Sequence, residues 1–282
     1  VTESDLPKSK SINSLYVMNT NGSSLVSVSD KLPGANSPFW SANDDLYVMN
    51  KGQLYKFSLE TNEAIQITDF YAGVSDPIVS NDGRLVAFTA DLFPECGTDN
   101  DCNKKLDESS SSGPVQAYIA DELLFRHWTD YKGEKETFLI LFDIKENKYQ
   151  TITSNDVLSG TYMLAGGPKF AFSPDSRVLS YVSTAEKNIA SSTNTDIFLF
   201  PIGGKEAVNI TDANDALDAS IVYSPDGKYI AFTIGGPLNL IYYAIQHLAV
   251  IPVSGGSAKA VSYTHLRAHE TDSYLVCRLL LE

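Results

Sequence analysis

The stretch Ser224-Pro225-Asp226-Gly227-Lys228-Tyr229-Ile230-Ala231-Phe232-Thr233 decides the fold of this 282-residue chain. Proline presets φ at the first corner of a turn, aspartate bonds back to its own backbone, and glycine takes the positive φ that a β-carbon penalises. An apolar run follows at once, so the phrase is a tight turn feeding a strand. It recurs at Ser173-Pro174-Asp175-Ser176 before Val178-Leu179-Ser180-Tyr181-Val182, and at Ser80-Asn81-Asp82-Gly83 before Leu85-Val86-Ala87-Phe88-Thr89. A shortened copy, Ser41-Ala42-Asn43-Asp44-Asp45, precedes Leu46-Tyr47-Val48. The strands behind these turns are almost continuously apolar, the pattern expected where both faces are covered by neighbouring sheets.

A second phrase alternates with the first. Leu54-Tyr55-Lys56-Phe57, a turn at Glu60-Thr61-Asn62 and a strand ending Ile65-Gln66-Ile67-Thr68-Asp69 make one copy, and others start at Leu15, Leu139, Ile197 and Leu248. The two phrases together build a four-stranded meander, and repetition every 40 to 50 residues or so marks a propeller blade. The prediction is an all-β chain: an incomplete β-propeller of four-stranded antiparallel blades, comprising the last hairpin of one blade and four blades after it. A chain that opens halfway through a blade is expected to be a fragment. The propeller is assigned to residues 1–261, with an insertion at about 92–136.

Composition narrows the function. A formal charge of -14 opposes any phosphate backbone, whose binding depends on Lys and Arg releasing counterions, so nucleic acid is excluded as a partner. The most apolar window, Pro237 to Val253, is broken by Asn239, Gln246 and His247 and falls short of a bilayer's roughly 20 residues, so no membrane span is expected. The chain starts at Val1 without a basic, then apolar, leader, so a signal peptide is absent or already lost.

The insertion separates Phe88 from Leu139. It begins Cys96-Gly97-Thr98-Asp99-Asn100-Asp101-Cys102, passes a serine run from Ser109 to Ser112, and ends Asp121-Glu122-Leu123-Leu124-Phe125-Arg126-His127-Trp128. Long insertions in repeat arrays sit on one face and often carry function. The run from Ala87-Phe88-Thr89 through Phe93-Pro94-Glu95-Cys96 and Cys102 to Leu123-Leu124-Phe125-Arg126-His127-Trp128 resembles the propeller of bacterial prolyl oligopeptidase-family serine peptidases, in the dipeptidyl-peptidase V and acylaminoacyl-peptidase branch. The resemblance covers roughly residues 1 to 260. It implies a propeller that precedes an α/β-hydrolase domain carrying a Ser, Asp and His triad, limits substrates to short peptides and helps recognise their amino ends. The chain contains no Gly-X-Ser-X-Gly, so no catalytic residue is assigned to it.

Cys96 and Cys102 enclose a short polar loop that suits a disulfide in an oxidising compartment, with free thiols or half a metal site as the alternatives. No second cysteine pair or nearby histidine offers the remaining ligands that zinc requires. Asp99, Asp101 and Asn103 alternate like the start of a calcium loop, but Lys104 stands where glycine belongs and Ser110 where the bidentate glutamate belongs. No metal and no cofactor are expected. Asp121 and Glu122 are adjacent acids able to hold a cationic amino end, against the alternative of a solvated turn. Arg126 and His127 match the family and are the other candidate substrate-binding residues, while Trp128 suits packing. His127, lacking a partner nucleophile, is not read as catalytic.

After Val261 the repeat stops. Residues 262–282, with Ser262-Tyr263-Thr264-His265-Leu266-Arg267-Ala268-His269, resemble translated sequencing-adapter DNA and are expected to be a non-native tail. His265 and His269 share a helical spacing but are not assigned a metal. The expectation is therefore a substrate-gating propeller from a periplasmic or secreted serine exopeptidase that releases dipeptides or N-terminal aminoacyl groups. Its partners would be short peptides and a missing C-terminal hydrolase domain. Two other classes compete: a protein-binding scaffold like the periplasmic Tol-system propeller, and a propeller enzyme with acids converging on its channel.

Overall fold

The structure, a computed structural model, describes residues 1–5, 10–112, 117, 119–121, 126–127, 130–131, 133–153, 169–184, 192–236, 239–240 and 245–262. Two hairpins come first: β1 (Thr2–Asp5) with β2 (Lys10–Asn13), and β3 (Tyr16–Val17) with β4 (Val26–Ser27). A four-stranded antiparallel sheet follows, β5 (Asn36–Trp40), β6 (Leu46–Asn50), β7 (Gln53–Ser58) and β8 (Glu63–Gln66), paired in chain order. The next sheet begins with β9 (Ser75–Val79) and β10 (Leu85–Leu92). The insertion then supplies helix α1 (Asn100–Ser111) and a hairpin of β11 (Arg126–His127) and β12 (Asp130–Tyr131), before β13 (Glu136–Asp143) and β14 (Lys148–Thr151) complete the sheet. Two further meanders are β15 (Phe170–Phe172), β16 (Val178–Ser183), β17 (Asp196–Pro201), β18 (Val208–Asn209), and β19 (Asp218–Tyr223), β20 (Tyr229–Ile234), β21 (His247–Pro252), β22 (Lys259–Ala260). These four sheets are propeller blades, and β3 with β4 is the outer hairpin of another. The β1–β2 hairpin was not foreseen.

The repeated turn is built as its residues dictate. The hydroxyls of Ser80, Ser173 and Ser224 donate to Asp82, Asp175 and Asp226 at 2.6, 2.7 and 2.6 Å. The same hydroxyls accept the amides of Leu85, Val178 and Tyr229 at 2.9, 2.9 and 3.0 Å, which launches the next strand in register. The fourth residue takes positive φ in every copy: 73° at Gly83, 70° at Gly227, 60° at Ser176 and 58° at Asp44. A type I turn followed by a left-handed residue is a standard hairpin connection, and glycine takes that place at least cost. The serine bond and the Arg177 amide hold the Asp175 carboxyl below the usual carboxylate range.

The second phrase carries a bond that the sequence reading did not anticipate. Its first residue donates its amide to a hydroxyl 14 positions later: Leu15 to Ser29, Leu54 to Thr68, Leu139 to Thr153, Ile197 to Thr211 and Leu248 to Ser262, at 2.8 to 3.1 Å. Each bond satisfies a backbone amide at the start of a strand or, at Leu139, inside β13, where a lost partner is costly. Ser262 therefore fills a position of the repeat, one residue beyond the boundary drawn at Val261. Residues 263–282, including His265 and His269, lie outside the described residues.

The chain divides into two compact units, residues 1–119 with 132–156, and residues 120–131 with 157–282. In the first, Tyr47, Met49 and Leu54 of one blade pack with Phe70, Val74, Val86, Phe88, Ile140 and Phe142 of the next. Tyr149 lies against this cluster, stacked on Phe142 at 4.3 Å. In the second, Val182, Ile197 and Leu199 pack with Ile221, Ile230, Phe232, Ala249 and Ile251. β6 is buried along its whole length and β16 at every residue after Val178.

Candidate functional site

The insertion leaves the second strand of a blade and returns at its third. All eight residues of β10 pair with all eight of β13, from Leu85↔Asp143 to Leu92↔Glu136, so the interruption spans residues 93–135, slightly less than the sequence bounds. Thr137 Oγ1 donates to Asp91 Oδ1 at 2.6 Å across the neck. Phe93 turns into the core, and Lys135 lies 5.3 Å over its ring with Nζ 2.8 Å from the Asp107 carboxylate. The neck is thus closed by pairing, an apolar anchor and an ion pair.

Beyond it, residues 96–103 form a knot. Cys96 and Cys102 are bonded, with Cα atoms 5.5 Å apart. Asp99 caps α1 by accepting the Cys102 amide at 2.9 Å, the standard satisfaction of an orphan helix donor. Asn103 is buried; its Oδ1 accepts the Phe93 amide at 3.0 Å and its Nδ2 donates to Gly97 O and Asp99 O at 2.9 and 2.8 Å. Asp99 and Asn103 are therefore spent on local structure rather than held for a cation. Among the described residues no cluster of three His, Cys, Asp or Glu side chains could hold a metal. Asn100 reaches outward, accepting the Tyr71 amide at 2.9 Å and donating to Asp69 O at 3.3 Å, which braces the connector between two blades.

The proposed substrate residues divide. Asp121 is exposed, Glu122 and Trp128 lie outside the described residues, and Arg126 and His127 form β11, where they pair with Tyr131 and Asp130. Asp121, Arg126 and His127 fall in the second unit, whereas Cys96 and Cys102 fall in the first. The insertion's two sequence signals thus mark separate parts.

A different place in the second unit has unusual electrostatics and was missed. Asp196 and Asp218, which open β17 and β19, are 3% and 0% exposed. Asp218 Oδ1 accepts Asn214 Nδ2 at 2.7 Å, and Asp196 Oδ2 accepts Asn209 Nδ2 at 3.0 Å. Desolvation pushes the Asp218 carboxyl up to about 7; bonds from Thr211 and Asn214 oppose the shift, and the Asp196 charge adds to it. The available signal was an acid heading an apolar strand, as in Asp196-Ile197-Phe198-Leu199-Phe200.

No family model matches the chain. It is 25% identical over 241 residues to dipeptidyl-peptidase 5 of Porphyromonas gingivalis, and 23% identical over 234 residues to that of Porphyromonas endodontalis. The chain is homologous, in part, to dipeptidyl-peptidase 5. These matches cover 81% and 77% of this chain but 34% and 32% of the relatives, so it spans about a third of their length. Among solved structures, tricorn protease aligns with a TM-score of 0.54 at 12% identity, over 88% of this chain and 24% of that one. TolB from Acinetobacter baumannii aligns at 0.49 and 16% identity, over 88% of this chain and 48% of its own. The tricorn likeness shows the propeller fold alone.

Proposed function

We propose that this chain is the substrate-gating propeller of a secreted or periplasmic serine exopeptidase that releases dipeptides or N-terminal aminoacyl groups from short peptides. The observation that carries the reading is homology to two dipeptidyl-peptidases along more than three quarters of the chain. A braced insertion on one blade adds support, since function on repeat scaffolds gathers in such insertions. The hydrolysis itself belongs to an α/β-hydrolase domain outside these residues, because the Gly-X-Ser-X-Gly elbow that presents such a nucleophile does not occur here.

The test joins the chain to its parent. The purified 282-residue chain is expected to leave dipeptidyl and aminoacyl chromogenic substrates intact. The parent protein is expected to cleave them and to lose that activity to a serine-directed inhibitor. Excising residues 93–135 from the parent should broaden its substrates towards longer peptides. Inhibitor-sensitive turnover by the chain alone, or a parent without peptidase activity, would overturn the reading.

A further inference from the structure

The phrase that begins at Leu15, Leu54, Leu139, Ile197 and Leu248 lays alternate residues on opposite faces of its sheet. Its first and third residues form a forward face, turned to the blade that follows: Leu54 shares an apolar cluster with Val86 and Phe88, and Ile197 and Leu199 share one with Ile230 and Phe232. Its second and fourth residues form a rear face, turned to what precedes: Tyr55 and Phe57 cluster with Leu15, Val17 and Val26 of the β3–β4 hairpin. Each of these contacts joins the forward face of one sheet to the rear face of the next.

Two faces are left over. Leu54 and Ile197 are fully buried, whereas Leu248, at the same place in the β19–β22 sheet, is 45% exposed. Val222 and Tyr229 are exposed with it, and the register puts all three on one face: Leu248 lies opposite Thr233, Tyr229 opposite Pro252, and Val222 opposite Ala231, which is itself opposite Val250. On the rear faces Phe57, Phe142 and Ile251 are buried, whereas Met18, at the same fourth place in the β3–β4 hairpin, is 63% exposed, and Tyr16 at the second place is exposed beside it. A surplus forward face and a surplus rear face are the two halves of the contact that the fold already makes.

We propose that the forward face of the β19–β22 sheet, at Val222, Tyr229 and Leu248, docks on the rear face of the β3–β4 hairpin, at Tyr16 and Met18, of a second copy of this chain. This contact goes beyond the peptidase reading and does not rest on it. Continuity identifies the partner: the contact uses the same places of the same repeat as the contacts inside each unit, and every copy supplies one of each half. Because the halves differ, the contact is heterologous, and a pair of copies still presents one free forward face and one free rear face to further copies. Exposed apolar patches of this kind mark protein contacts. The net charge of -14 opposes the approach of two copies, so the association strengthens as salt screens the repulsion.

Sedimentation velocity of the whole chain between about 1 and about 300 μM tests this. The weight-average mass is expected to rise with concentration, to pass that of a dimer, and to rise further with added sodium chloride. Met18→Glu and Leu248→Glu should each weaken self-association at least about tenfold, because each would bury a charge without a partner. Mixed in equal amounts, the two variants should form a heterodimer and stop there, since Met18→Glu keeps its forward face and Leu248→Glu its rear face. Tyr16→Glu and Val222→Glu repeat the pattern should either first variant fail to fold. A wild-type chain that stays monomeric, association that weakens with salt, variants that assemble alone or a mixture that stays monomeric would overturn the proposal. So would a loss at Leu248→Glu with none at Met18→Glu, which would set two β19–β22 faces against each other. Association abolished by deleting residues 263–282 would assign the contact to that segment and overturn it as well.

Discussion

The chain makes the same joint between neighbouring blades twice, with different chemistry. In the first unit the Val74 amide donates to Gly52 O at 2.8 Å; in the second the Asp218 amide donates to Thr195 O at 2.9 Å. The residue after each acceptor is Gln53 in one case and Asp196 in the other. Gln53 uses a neutral amide: its Oε1 accepts Thr68 Oγ1 and the Phe70 amide at 2.9 and 3.0 Å, and its Nε2 donates to Phe70 O at 2.8 Å. Beside it, the place of Asp218 is held by the apolar Val74, 5% exposed. One backbone geometry therefore accepts either a neutral polar clamp with an apolar neighbour or a pair of acids. The clamp residues of the first, Gln53 and Val74, carry no titratable group, whereas in the second burial raises the Asp218 carboxyl.

The harshest way to break the comparison is to move the acid. Val74→Asp places a carboxylate against a joint with no prepared donor, and should cost about 4 kcal/mol near neutral pH, the scale of an uncompensated buried charge. A urea titration that also shows recovery towards pH 4 or so would tie the loss to ionisation.

Next in size is the wild-type pH dependence. The folded pKa of Asp218 is raised to about 7, so its contribution is present below about pH 4 and lost through neutrality. At 1.36 kcal/mol per unit, the second unit should lose about 3 kcal/mol across that window. Local unfolding followed by proteolysis at several pH values measures it, and a flat profile would remove the contrast between the joints.

The first joint has a brace of its own, since Asn100 holds Asp69 O and the Tyr71 amide just beyond Thr68. Replacing Cys96 and Cys102 together by serine should destabilise the first unit by about 2 kcal/mol, since a short loop gains less from closure than a long one. Thermal unfolding with and without reductant checks this, and the reductant should have no effect on the double variant. If the brace matters to the joint, amide exchange at Tyr71 accelerates in the same variant.

The smallest expected effects come from the hydroxyls that close each repeat. Thr68→Ala, Thr153→Ala, Thr211→Ala and Ser262→Ala should each cost about 1 kcal/mol by stranding one backbone amide. Chemical denaturation of the four variants compares them directly. A larger loss at Thr211 would show coupling to the acid pair, because that hydroxyl also bonds Asp218. A loss at Ser262 equal to that at Thr68 would place residue 262 firmly in the propeller.

Much of the fold was legible because its information is local. Ser224, Pro225, Asp226 and Gly227 specify a turn within their own hydrogen-bonding reach, and continuous apolar runs such as Leu85 to Phe88 require covering sheets on both faces. The insertion was legible as a break in spacing, and Cys96 with Cys102 as a pair at short range. The placement of Asp121, Arg126 and His127 was not, because nothing local says which unit a hairpin in an insertion joins. Asn100 and Asn103 were equally silent, since an asparagine that braces a distant connector has the same local pattern as one on a solvated helix.

By itself, then, the sequence determined the repeating meander, the blade count from Leu15 to Val261 and the interruption between two paired strands. Turn chemistry and hydrophobic period act over a few residues and need no partner to be read. Only the tertiary structure decided that Thr68, Thr153, Thr211 and Ser262 close their repeats, and that Gln53 and Asp196 occupy equivalent joints. It alone showed that Asp196 and Asp218, 22 positions apart, are buried together. Burial and the field of a second charge arise only when distant segments exclude water from the same place, and that is what turns an ordinary carboxylate into a group that holds its proton near neutrality.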